Sequence, residues 1–111
     1  MNTYAELETL LVAKGIGSYH QGPDRLVISN ANPALPGSNC FWVTIKAGRW
    51  YIGTWLPAVY QVPVDVEISG VCEAVFGSST QAIYTIDRAL ADRLGLKRLS
   101  VQDLEELALG T

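Results

Sequence analysis

The spacing of apolar and polar positions changes several times along this chain, and each change predicts an element. Tyr4, Leu7, Leu10 and Leu11 recur at helical spacing. Thr3 and Glu6 fit a capping box ahead of them. Gly15 supplies a left-handed stop, and Ile16 is placed for the apolar contact that follows one. Gly22-Pro23-Asp24 reads as a turn and residues 25–29 as a strand. Residues 30–39, NANPALPGSN, are rich in turn formers and predict a surface loop.

The clearest pattern is the pair of β-branched and aromatic runs at 41–46 and 49–55, on either side of Ala47-Gly48, which predicts a β-hairpin. A two-residue turn places Phe41, Val43, Ile45, Trp50 and Ile52 on one face. Trp42, Thr44, Lys46, Arg49, Tyr51 and Trp55 then fall on the other. Holding Ala47 at positive φ costs about 1 kcal/mol. A three-residue loop with Gly48 alone left-handed avoids that cost but mixes the two faces. Burial sets register, so the two-residue turn is the expected one.

Pro57 and Pro63 bracket an extended edge segment or loop. Asp65 is placed to cap a second helix, with Ile68, Val71, Cys72, Val75 and Phe76 on its buried stripe. Gly70 weakens that helix and Gly77 is expected to end it. Residues 82–86 read as a strand. Asp87 caps a short helix through Leu94, where Gly95-Leu96 repeats the Gly15-Ile16 terminator. Ser100 and Asp103 open a last helix, with Val101, Leu104 and Leu107 along one side. The resulting order, α-β-β-β-α-β-α-α, predicts one α+β domain over residues 1–111. Its simplest form is an antiparallel sheet of about four strands with helices packed mainly on one face. The early part of this order is similar in topology to small secretion-chaperone-like α+β folds, with no shared motif. The expected core comprises Leu7, Leu10, Leu11, Leu26, Ile28, Val43, Ile45, Ile52, Val71, Val75, Phe76, Leu90 and Leu104.

Composition narrows the classes of function. The chain has 111 residues, 49% of them apolar and 17% charged, with a net charge of −3. That is a globular composition, and its sign disfavours nucleic acid or an anionic membrane as partner. No apolar run approaches the roughly 18 residues that cross a bilayer. The first residues lack a basic stretch followed by an apolar one, so no secretory signal is expected. Cys40 and Cys72 form no paired-cysteine motif. A cytoplasmic protein with reduced thiols is the expectation.

Candidate chemistry is sparse. His20, the single histidine, could in principle activate Cys40 or Cys72 as a nucleophile. No thiol-enzyme signature surrounds either cysteine, and Cys72 lies on an apolar helix stripe where cysteine serves as a small hydrophobe. One histidine and two scattered cysteines make no zinc set. Gly15-Ile16-Gly17 lacks the rest of a dinucleotide fingerprint. Residues 89–107 imitate a helix-turn-helix, but the second helix carries Asp103, Glu105 and Glu106 with no Lys or Arg, and acidic groups repel phosphate.

The aromatic hairpin is the feature that speaks to function. Trp42, Tyr51 and Trp55 with Lys46 and Arg49 form a face suited to protein contact, since Trp, Tyr and Arg are enriched at interface hot spots. The same rings could stack nucleic-acid bases, or simply pack beneath another element. The expectation is a non-enzymatic protein-interaction module whose partner is another protein or a second copy of itself, with no cofactor and no metal. The competing reading is a small enzyme or ligand-binding protein with a Cys40/His20 site near a loop. An exposed aromatic patch supports the first, and a pocket containing Cys40 or His20 supports the second.

Overall fold

The computed structural model describes residues 4–29, 39–54, 58–79 and 86–107. Its elements run α1 (Tyr4–Ala13), β1 (Ser18–His20), β2 (Leu26–Ser29), β3 (Asn39–Lys46), β4 (Arg49–Thr54), β5 (Val59–Gln61), α2 (Ile68–Ser79), α3 (Arg88–Leu94), β6 (Lys97–Arg98) and α4 (Val101–Leu107). The class is α+β, built on one antiparallel sheet. Among the described residues the sheet has six strands in chain order, β1-β2-β3-β4-β5-β6, rather than the four expected. Three of the expected strands are β2, β3 and β4; β5 falls in the segment expected as an extended edge or loop, and the further strands β1 and β6 span three and two residues, too few for a period-2 pattern to show. The segment between Pro57 and Pro63 is not an edge, because β6 flanks β5 on its far side. The strand expected at 82–86 lies outside the described residues, apart from Ile86, which is buried and not in a strand.

The hairpin register is the expected one. Lys46 pairs with Arg49, Ile45 with Trp50, Val43 with Ile52 and Phe41 with Thr54. Ala47 sits at φ 52° and Gly48 at φ 75°, both left-handed, as a type I′ turn demands. This turn matches the right-handed twist of the strands, and the pairing it sets buries the apolar face. Replacing Ala47 by Asn, which tolerates the left-handed region, should stabilise the protein by about 1 kcal/mol. Chemical denaturation with an unchanged slope would read that gain, and a loss of stability would contradict the turn assignment.

One sheet face carries the main core. Leu26, Ile28, Phe41, Val43, Trp50, Ile52 and Val62 meet Leu7 and Leu11 of α1, Val71, Cys72 and Val75 of α2, and Ala91 of α3. Leu10, Ile45 and Phe76 are partly buried against the same cluster. The helix ends follow the sequence signals. Gly15 is left-handed and the Ile16 amide donates to the Leu11 carbonyl at 2.9 Å, with Ile16 buried. The Asp87 carboxylate accepts from the Leu90 amide, and left-handed Gly95 closes α3. Ser100 and Asp103 cap α4 reciprocally, each side chain accepting from the other's amide at 3.1 Å.

Gly77 plays a part other than the expected one. Helix α2 begins at Ile68, not beside Asp65, and runs through Gly77 to Ser79. A Cβ on Gly77 would lie 2.6 Å from Leu90 Cδ1. Gly77 therefore admits α3 against α2 and does not end the helix. Tyr4 closes another gap, where β2 has ended but β3 continues. Its hydroxyl accepts from the Ile45 amide at 2.7 Å and donates to the Asp24 carbonyl at 3.0 Å. The hydroxyl thus supplies the partner a missing strand residue would have supplied.

Candidate functional site

The outer face of the sheet, opposite the main core, follows from the strand registers. Tyr19 pairs with Val27, Val27 with Trp42, Trp42 with Gly53 and Gly53 with Val59, forming one row across five strands. The next row holds Thr44, Tyr51, Gln61 and Lys97, and beyond it Lys46 pairs with Arg49 beside the turn. Arg25 precedes Val27 by two residues and shares its face.

Gly53 gives the first row its shape. An ideal Cβ there would stand 1.8 Å from Trp42 Cε2. The Trp42 indole thus lies over the glycine backbone, filling the space a side chain would take. The Arg25 guanidinium sits 4.0 Å above the ring centroid on the indole, a cation–π contact worth roughly 0.5–1 kcal/mol at a partly exposed site. Backbone, indole and guanidinium form a three-layer stack rising from the sheet.

The structure separates the expected contact residues. Trp42 and Arg49 are half-buried, and Lys46 is exposed. Tyr51 is buried, 3% exposed, in a second cluster with Val59 and Leu99, against which Trp42 and Leu104 pack. Tyr51 is therefore a support for this face and offers little of its ring to a partner. Trp55 lies outside the described residues. Sequence reasoning missed Arg25, Tyr19 (47% exposed) and Lys97. The alternation of 25–29 could have revealed Arg25 once β2 was paired with β3.

Helix α4 comes from the far end of the chain to this same face. The Leu99 amide donates to the Val59 carbonyl at 2.8 Å, which starts α4 at the Trp42–Gly53 end of the face. Leu104 packs on the cluster while Glu105 and Glu106 stay exposed. The Asp103 carboxyl is held below the usual aspartate range by its hydrogen bonds with Ser100, with a further contribution from Lys97.

Of the Cys/His alternative, His20 lies at the surface and Cys72 in the core. The His20 Nε2 lies 2.6 Å from Glu8 Oε1 at the surface between β1 and α1. Cys72 is 1% exposed within the main core, and burial pushes its thiol up, offset in part by nearby Lys14. Thiol reagents should therefore leave Cys72 unmodified at neutral pH until the protein is unfolded. Rapid labelling of Cys72 in the native state, read by mass spectrometry, would contradict that burial. The Cys40 side chain lies outside the described part of the structure. A surface groove of about 290 Å³ is lined by Glu6, Thr9, Leu10 and Ile68, and by neither Cys nor His. Among the described residues no three acidic, His or Cys side chains group as a metal set, and no helix is long and apolar enough to cross a membrane.

Compared with known proteins, the chain matches no family model, no curated protein and no solved structure.

Proposed function

We propose that this protein is a non-enzymatic interaction module that uses the outer sheet face to recognise a protein segment rich in carboxylates. One observation carries the reading. Four of the eight Lys and Arg residues, Arg25, Lys46, Arg49 and Lys97, stand on this one face, although the chain as a whole has a net charge of −3. They surround Trp42 and Tyr19, and rings interleaved with guanidinium groups are the composition of interface anchors.

The packing of α4 supports the reading. Helix α4 (VQDLEEL) seats Leu104 on the Tyr51–Leu99 cluster and leaves Glu105 and Glu106 exposed. An acidic amphipathic segment placed beside it would meet Arg49, whose guanidinium has no ion-pair partner among the described residues. Nucleic acid fits less well, because α4, which packs on the same face through Leu104, carries Asp103, Glu105 and Glu106, and acidic groups repel phosphate.

The test is a calorimetric titration with a synthetic peptide that repeats the α4 sequence twice. At physiological ionic strength charges beyond roughly 8 Å are screened, so local charge governs over net charge. Saturable binding that disappears in Arg49→Glu is expected. Binding indifferent to Arg49, or binding of an oligothymidylate in preference to the peptide, would overturn the reading.

A further inference from the structure

The outer sheet face is partly covered by the chain's own last helix. Resting on the reading of that face as a seat for an acidic amphipathic segment, we propose that α4 occupies part of the site in cis. Its release uncovers an apolar seat of Tyr51, Val59 and Leu99 for a leucine of the partner segment. With α4 in place a partner reaches Trp42, Lys46, Arg49 and Lys97. With α4 released it gains the seat as well.

The occupant of the seat is visible. Leu104 packs on the cluster of Tyr51, Val59 and Leu99, which are 3%, 4% and 8% exposed. One residue earlier, the charged form of Asp103 is favoured in part by Lys97, which stands in the same row as Tyr51 and Gln61. A leucine on the cluster and a carboxylate answered by a lysine are also the chemistry proposed for the partner. Helix α4 and the partner segment therefore compete for one seat.

The packing of α4 favours release. Its 7 residues are too few to hold a helix alone, so the helix depends on its seat. Val101, Gln102, Glu105 and Glu106 are exposed, and Leu104 itself is only partly buried. The cap is local, with Ser100 and Asp103 bonding each other's amides, and does not tie the helix to the sheet. Among the described residues the ion pairs join His20 to Glu8 and Arg93 to Glu73, and none involves α4. Helices α1 and α2, by contrast, bury Leu7, Leu11 and Val75 completely. Elements with few buried contacts open at the lowest free-energy cost. The bond from the Leu99 amide to the Val59 carbonyl precedes α4 and keeps the sheet side fixed when the helix leaves.

The experiment repeats the calorimetric titration with the doubled α4 peptide on two variants. Leu104→Ser removes the anchor of α4. Asp103→Ala removes its cap and leaves Leu104 and the cluster in place. A site open in only a fraction of molecules binds with its affinity reduced by that fraction. Leu104→Ser should therefore bind the peptide at least about tenfold tighter than the wild type, and Asp103→Ala about threefold tighter. Amide shifts on titrating Leu104→Ser should extend to Tyr51, Val59 and Leu99, which the wild type should not show. A peptide with serine at both Leu104-equivalent positions should lose the gain and bind the variant no tighter than the wild type. Circular dichroism melting close to the wild type, expected because Leu104 lies outside the main core cluster, shows that the fold is kept. Equal or weaker binding by a folded Leu104→Ser, or a gain that survives with the serine peptide, would overturn the cover. Should Leu104→Ser not fold, equal or weaker binding by Asp103→Ala overturns it. If the cover fails while the wild type still binds through Arg49, the functional reading stands. If none of the three proteins binds the peptide, both fall.

Discussion

Val75→Asp should not fold. Val75 is 0% exposed inside the cluster that joins α1, α2 and the inner sheet face. An aspartate there must either bury a charge with no counterion or take up a proton to avoid doing so. Both routes cost several kcal/mol, against a total stability of about 5–15 kcal/mol for a domain of this kind. The position can be graded. Val75→Thr keeps the shape but strands a hydroxyl, at about 1–3 kcal/mol. On the same helix, Glu73 is exposed and ion-paired with Arg93, and Glu73→Gln should change stability by at most about 1 kcal/mol. Circular dichroism and urea denaturation would rank the three. A cooperative, near-native transition for Val75→Asp would remove α2 from the core.

Gly53→Ala carries the second large effect, and its sign is unusual. Alanine in place of glycine ordinarily stabilises by about 0.4–1 kcal/mol, because it restricts the unfolded chain. Here the new methyl would stand 1.8 Å from Trp42 Cε2 and 2.2 Å from its Nε1. The indole must leave its seat, and the Arg25 stack goes with it. A loss of about 1–3 kcal/mol is expected, with tryptophan emission shifted toward that of a wet ring. The cause can be isolated in a Trp42→Ala background, where the three atoms nearest the methyl are gone. There Gly53→Ala should be neutral or mildly stabilising, so the two substitutions are strongly non-additive. Equal costs in both backgrounds would show that the indole does not lie on Gly53.

These predictions also show what was legible in the sequence. The hairpin and its register follow from local alternation. Ala47-Gly48 can form a type I′ turn, and only that turn keeps Trp50 with Ile45 and Arg49 with Lys46. Helix ends at Gly15 and Gly95 were equally readable, because the glycine and the apolar residue after it act within a few positions. What escaped was non-local. Gly77 looks like a terminator until Leu90 is seen pressing on it. Strands β1 and β6 are set by the neighbours they extend and carry little pattern of their own. The proposed contact face was legible in part. Trp42, Lys46 and Arg49 are on it, but Tyr51 is covered because Leu99 and Leu104 arrive from the far end of the chain. Arg25 joins only through pairing of β2 with β3.

The central claim is that this outer face, and not the helical side of the molecule, is where the protein meets its partner. The most direct measurement is an amide chemical-shift map of the isotope-labelled protein titrated with the repeated α4 peptide. The account predicts shifts concentrated at Tyr19, Arg25, Val27, Trp42, Lys46, Arg49 and Lys97, with α4 perturbed at its exposed side. Shifts concentrated at Glu6, Thr9, Leu10 and Ile68, around the groove between α1 and α2, would contradict it.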